Sequence, residues 1–403
     1  MMTSSAGELL DLDITGIAHG GTFIARHEGR VVFVADAIPG ERVRARITDA
    51  AKSAFWRAET VEVLDASPHR RPHVWAEADV SRAPEDRVGG ADLGHIALDE
   101  QRVLKRQVLQ EALDKFAGAG LQAPEVAAVG EDDGTRWRTR VSLHVDDAGR
   151  IGPYAARSHR VIEVADLPLA RPAIVDAARA LREQREGRVD LVEPGDGRVR
   201  VLPRPDARRR APRPRPEVVF ERVGEREFQL DAGGFWQVHP QAASTLHGAV
   251  GEVLAGRVDP DATHFDLYGG VGLFASTLGE HGATDLVTVE SDRRATEHAA
   301  HNLARYDAQA VTARVDRFLT RVPESTRAGA VVLDPPRAGA GREVVESIHA
   351  LDPEAIVYVA CDPVALARDL GTFRGLGWDV SSLRAFDLFP HSHHFEAVAL
   401  LTR

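Results

Sequence analysis

The chain has 403 residues, a formal net charge of −11 and a single cysteine. One cysteine excludes an intrachain disulfide framework, a cysteine-ligated iron–sulfur cluster and a four-thiolate zinc site, and the length calls for two or three domains. The acidic balance argues mildly against a nucleic-acid partner, although net charge conceals local patches. No signal peptide is visible at the start and no apolar run approaches membrane-spanning length, so a cytoplasmic protein without a membrane partner is expected.

From Leu9 to about Ala66, short alternating segments are separated by glycine turns, as in Leu10-Asp11-Leu12-Asp13-Ile14 and Arg42-Val43-Arg44-Ala45-Arg46-Ile47. Five such strands predict a small closed barrel of the oligonucleotide-binding type. Gly16-Ile17-Ala18-His19-Gly20-Gly21 and Ala37 to Val43 resemble a TRAM domain, which implies contact with RNA. Arg42, Arg44 and Arg46 would share one face of a strand, either as an RNA contact or as an ordinary solvated face.

Pro68 to about Gly90 reads as an irregular linker. A helix follows from about Leu98 to Phe116, with Val103, Val108, Leu109, Leu113 and Phe116 as its apolar stripe. Trp137 to Arg226 predicts short strands and one helix near 173–184. Trp137, between Arg136 and Arg138, could stack on a base but is better suited to a small core. The arginine-rich run from Arg204 to Arg215 is either a phosphate grip or a solvated loop.

Strands and helices alternate in the last third, as in a doubly wound Rossmann-like sheet. Thr263–Tyr268 leads into the turn Gly269-Gly270-Val271-Gly272. Asp285–Glu290 and Ala310–Asp316 each end in an acid, Gly329–Leu333 runs into Asp334-Pro335-Pro336-Arg337, and Ala355–Ala360 ends at Cys361. Glu290 stands 20 residues after Gly270 (290 − 270), where a ribose-binding acid belongs. That pair suits an adenine dinucleotide or S-adenosylmethionine equally. A dinucleotide oxidoreductase is therefore one reading, and a catalytically silent RNA-binding factor another. A lone thiol with a carboxylate at the neighbouring strand end has little use in hydride transfer.

Taken in order and spacing, Asp266 to Gly272, Leu333 to Gly339, Tyr358 to Asp369 and Phe389 to Glu396 resemble the RNA 5-methyluridine methyltransferases, which act on tRNA or 23S rRNA. The resemblance implies S-adenosylmethionine as cofactor, Cys361 as nucleophile and Glu396 as base. It further implies that Gln237 and Asp334 line the site, while Tyr268, Gly270, Glu290 and Asp316 belong to the cofactor side. His391, His393 and His394 are rival bases on chemical grounds. The expected plan is a barrel at 1–67, an α+β region at 68–230 and a methyltransferase domain at 231–403, with the helix near 98–116 a candidate to pack on the last. A monomer without an iron–sulfur cluster is expected, since Val88 to His95 contains no cysteine. Where relatives often carry Ser and Asn beside the thiol, this chain has Ala360 and Asp362. A carboxylate there would raise the thiol pKa unless backbone donors or an arginine, with Arg368 as candidate, satisfy it.

Overall fold

The computed structural model describes residues 6–52, 54–130, 133–182, 184–205 and 216–403. Most of the arginine-rich run, 206–215, lies outside the described residues. Strands β1 (Leu9–Ala18), β2 (Thr22–His27), β3 (Arg30–Ala35), β4 (Arg42–Asp49) and β5 (Phe55–Asp65) close a barrel in the order β1-β2-β3-β5-β4. Alternation drives it: Leu12, Ile14, Val32, Val34, Val43, Ile47 and Trp56 point inward. Two outward arginines of β4, Arg44 and Arg46, are matched by acids. Arg44 bonds Asp11 and Glu62 at 2.9 Å each, and Arg46 reaches Glu85 at 2.6 Å. These two therefore act as part of a paired surface.

Residues 68–97 are irregular but firmly tied. Arg70 clamps the buried Glu41 at 2.6 and 2.7 Å, and the buried Arg87 bonds Asp36 at 2.7 Å. Helix α1 (Leu98–Ala112) continues through one wider π-turn, Leu113–Ala117. Val103, expected on its apolar stripe, is exposed. The buried stripe is set by Gln101, Leu104, Lys105, Leu109 and Ala112, because two of the covered positions are polar groups with partners. Lys105 Nζ donates to Asp387 Oδ1 at 2.6 Å and to the Phe389 carbonyl at 3.1 Å, which fastens α1 to the C-terminal sheet.

Strand β6 (Val126–Ala128) follows, and then a four-stranded sheet of β7 (Arg140–Val145), β8 (Ile151–Gly152), β9 (Gly187–Val192) and β10 (Arg200–Pro205), with helix α2 (Pro172–Ala180). The helix is shorter than its predicted reach to 184. Trp137 is buried against His239 and Phe389, with ring centroids 5.7 and 6.1 Å apart, so it fills a core. A hairpin of β11 (Val218–Val223) and β12 (Arg226–Asp231) leads to helix α3 (Ala242–Leu254).

The remaining elements are β13 (Thr263–Leu267), α4 (Leu273–Glu280), β14 (Asp285–Glu290), α5 (Arg293–Asn302), β15 (Gln309–Thr312), α6 (Val315–Leu319), β16 (Ala328–Leu333), α7 (Arg342–Ala350), β17 (Ala355–Ala360), α8 (Pro363–Gly375), β18 (Asp379–Asp387) and β19 (Glu396–Thr402). They form a sheet in the order β15-β14-β13-β16-β17-β19-β18-β6. The five strands from β15 to β17 are parallel, while β19 runs antiparallel to both β17 and β18. β16 and β17 are buried along their whole length, as continuous apolar runs in a parallel sheet should be. Successive residues of β17 alternate between the two apolar layers. Ile356 and Tyr358 face α7 and α8, and Val357 and Val359 face α3. Among the described residues, no helix is long and apolar enough to cross a membrane.

A further expected element differs. The strand predicted over 310–316 ends at Thr312, and Asp316 sits in the short helix α6. Val315 and Leu319, four residues apart and both buried, stabilise a helical turn there.

Candidate active site

A cleft of about 2700 Å³ opens at the carboxyl ends of the parallel strands, where open α/β sheets bind ligands. Gln237, Tyr268, Gly270, Glu290, Asp316, Asp334, Cys361 and Glu396 all line it. Eight residues spread over 160 positions (396 − 237 = 159 steps) thus meet in one place.

At one end the backbone turns tightly after β13. Tyr268 has φ +62°, a conformation rare for a side chain with a Cβ, and Gly270 and Gly272 have φ +54° and +94°. A Cβ on Gly269 would come within 2.1 Å of Thr288 Oγ1 and 2.6 Å of Asp266 Oδ2, so only glycine fits. Glu290 accepts from the Gly270 N–H at 3.3 Å and the Asp292 N–H at 2.7 Å, which fixes its carboxylate beside the turn. Asp266 is fully buried. Its Oδ2 accepts from the Ala275 N–H at 3.0 Å and from Thr288 at 3.2 Å, whereas Oδ1 has no partner among the described residues. Burial pushes this carboxyl up to about 7. The glycine cradle and the carboxylate positioned beside it, both on the cleft wall, fit the adenosyl part of S-adenosylmethionine.

The other end is built by sheet register. Ala360 of β17 pairs with Ala397 of β19 in antiparallel fashion, so the next step along both strands brings Cys361 opposite Glu396. Asp334 follows β16, the other neighbour of β17. Its loop is pinned from below. Asp369 of α8 accepts from the Tyr358 hydroxyl at 2.6 Å and from the Ala340 N–H at 2.7 Å, and a Cβ on Gly339 would meet it at 2.7 Å. Burial, and next the Glu396 and Asp334 carboxylates, push the Cys361 thiol up to about 12, with Arg337 opposing them. Burial and then Asp334 raise Glu396 well above the usual carboxylate range. Burial and then Asp266 likewise raise Asp334.

The rival histidines are mostly committed elsewhere. His391 bonds Gln101 at 3.1 Å and the Asp133 carbonyl at 2.9 Å, and His393 bonds Asp92 at 2.7 Å. His394 lines the cleft, but burial, His393 and Arg337 depress it to about 3, so it is a weak base. Of the two expected ways to satisfy Asp362, backbone donors are found and the arginine is not. Asp362 caps α8 through the Val364 and Ala365 N–H groups at 3.0 and 2.8 Å and takes His19 of the barrel at 2.8 Å. Arg368 instead stacks on Phe116, 5.1 Å from the ring centroid.

Two cleft residues received no role from the sequence. Arg337, held behind the rigid Asp334-Pro335-Pro336 turn, is the cation opposing the raised pKa values of both Cys361 and Glu396. Phe235 is 75% exposed on the cleft wall, an unusual cost for a phenyl ring. Its turn is held by Arg140, which donates to the Ala232 and Gly234 carbonyls at 3.2 and 2.7 Å. The signals available were the two prolines before Arg337 and the two glycines before Phe235.

A glycine turn with a positioned carboxylate, and a thiol facing a carboxylate at the neighbouring strand ends, fit an S-adenosylmethionine-dependent methyltransferase. A tRNA (uracil-5-)-methyltransferase profile matches residues 314–403, and a TRAM domain profile matches residues 4–61. An uncharacterized RNA methyltransferase of Streptomyces avermitilis is 40% identical over 98% of this chain and 98% of its own length. The 23S rRNA (uracil(1939)-C(5))-methyltransferase RlmD of Halomonas elongata is 32% identical over 97% of this chain and 89% of its own. The crystal structure of Pyrococcus abyssi tRNA (uracil-54, C5)-methyltransferase, complexed with S-adenosyl-L-homocysteine, covers 98% of this chain with TM-score 0.71 and 21% identity, a likeness of fold. The chain belongs to the RNA (uracil-C5) methyltransferase family.

Proposed function

We propose that this protein, acting as a cytoplasmic monomer without an iron–sulfur cluster, methylates carbon 5 of a specific uridine in 23S rRNA or tRNA through a covalent Cys361 adduct. The juxtaposition of Cys361 and Glu396 across the antiparallel β17–β19 pair carries the reading. Carbon 5 of uracil is too weak a nucleophile to take a methyl group unaided. Addition of the Cys361 thiolate to carbon 6 forms the C–S bond and moves an electron pair into the ring as an enolate. S-adenosylmethionine, when bound, would supply an electrophilic methyl group, the electron pair of the broken S–CH3 bond staying on its sulfur as a neutral thioether. Carbon 5 accepts that methyl, Glu396 removes the carbon 5 proton, and the C6–S bond breaks to restore the ring and the thiolate.

Arg337 stabilises negative charge as it passes between sulfur, ring and carboxylate. Tyr268, Gly270, Glu290 and Asp316 hold the cofactor, and Gln237 and Asp334 line the site beside it. The uridine must leave its stack to reach a thiol inside this cleft. The test is to map 5-methyluridine in RNA from cells with and without the protein, and with Cys361→Ala. The modified uridine should vanish in both deficient strains. RNA bearing 5-fluorouridine there, whose fluorine cannot leave as a proton, should stay bonded to wild type and not to Cys361→Ala. Undiminished methylation by Cys361→Ala would end the reading.

A further inference from the structure

The turn between β1 and β2 reaches out of the barrel to both sides of the reactive pair. On the nucleophile side, His19 Nε2 lies 2.8 Å from Oδ2 of Asp362, the residue after Cys361. On the base side, Gly21 packs so tightly that an added Cβ would stand 3.0 Å from His393 Cβ and 3.1 Å from Asp92 Cβ. Gly20 and Gly21, at φ +87° and +71°, give the chain the curvature this approach needs. Asp362 is needed where it is, because its Oδ1 caps α8 on two backbone N–H groups. A free carboxylate next to the thiol would, however, oppose thiolate formation.

We infer that His19 is a positioning residue for the nucleophile: as an imidazolium it offsets the charge of Asp362 and so lets the helix cap sit beside Cys361 with less suppression of its ionisation. The inference deepens the covalent reading above and rests on it for its consequence in methylation, though the thiol chemistry can be measured separately. The hydrogen bond to Asp362 raises the His19 pKa, with burial and Arg368 acting the other way, so the cationic form persists further toward neutrality. The Asp362 carboxylate is disfavoured by burial, yet His19 and the Ala365 and Val364 donors hold it below its ordinary range. The other charges facing the thiol are Glu396, Asp334 and Arg337, none of which belongs to the barrel. The same contact makes the barrel part of the active centre.

Cys361 is the only thiol, so whole-protein mass reports its alkylation by iodoacetamide without RNA or cofactor. The rate would be followed from pH 6 to 10 in wild type, His19→Ala, Asp362→Asn and the double variant. Asn keeps an oxygen acceptor for the α8 cap. His19→Ala is expected to slow alkylation at pH 6–7 by about threefold to tenfold, with the difference from wild type closing as pH rises and the wild-type imidazole loses its proton. Asp362→Asn should accelerate it, and the double variant should match Asp362→Asn because no carboxylate is left to neutralise. An unchanged profile in His19→Ala, or the same loss in the Asn background, would overturn the inference. Adduct formation with 5-fluorouridine RNA in wild type, tested alongside, keeps the covalent reading separate: it can hold while the His19 role fails, and the reverse.

Discussion

On the barrel wall, Arg44 lies between Asp11 and Glu62, and Arg46 reaches Glu59 and Glu85. In the cleft, Asp334 and Glu396 cluster with the thiol, Asp266 lies buried behind Asp334, and the pKa values of Asp334 and Glu396 are raised in part by neighbouring carboxylates. Both regions are rich in acid. The barrel pairs charge near solvent, where pairing contributes little and matching simply keeps a β surface soluble. The cleft withdraws carboxylates from water, so their proton affinity rises into the range useful for proton transfer. Uncompensated burial of like charge is thus a better guide to the chemistry than the number of charged residues.

The largest break in this contrast should come from Glu396→Gln. It removes the base but leaves the thiol, so turnover should fall by about 10²–10⁴-fold while the RNA adduct accumulates. An RNA-shifted band on a denaturing gel, present in this variant and absent from Cys361→Ala, is the readout. In wild type, both the raised thiol and the raised Glu396 need to lose protons, so single-turnover rates should climb with pH above neutrality. A rate that falls from pH 7 to 9 in stable protein would contradict these assignments.

Next in size is Lys105→Met, which tests a buried charge that is compensated. Lys105 and Asp387 are each 2% exposed, and removal of one partner leaves the other stranded, at about 3–5 kcal/mol of stability. Denaturant unfolding measures it, and a loss below 1 kcal/mol would show that α1 is not fastened by this pair.

Asp334→Asn should act in the opposite direction, and more weakly. Its folded pKa is raised above the unfolded value, so the folded state holds the proton more tightly. Its stability contribution is therefore full below the ordinary carboxylate range and is lost as pH rises through the raised value. The amide avoids that loss and should raise stability at pH 8 by on the order of 1 kcal/mol, with little change at pH 4. Methylation should fall at the same time. A uniform effect across pH would assign Asp334 a packing role instead.

His19 joins the two regions, and it marks how far the sequence could be read. The barrel was legible because inward and outward residues alternate from Leu9 onward, and the sheet because buried runs such as Ile356 to Ala360 end in turns carrying acids or the thiol. The pairing of Cys361 with Glu396 was available through family resemblance, 35 residues apart (396 − 361). Its physical basis was not, since antiparallel insertion of β19 beside β17 is a matter of strand order. The stripe of α1 was misread at Val103 because Gln101 and Lys105 look solvent-facing until their partners, His391 and Asp387, are known.

Local sequence thus determined which segments become strands and helices, where the glycine cradle lies and which single atom can be the sulfur nucleophile. These properties depend on periodicity, steric limits and composition within a few residues. Tertiary structure decided which cation answers Asp362, which histidines are unavailable as bases and how strongly each carboxyl holds its proton. Those depend on burial and on charges brought together from distant positions: His19 meets Asp362 across 343 residues of chain.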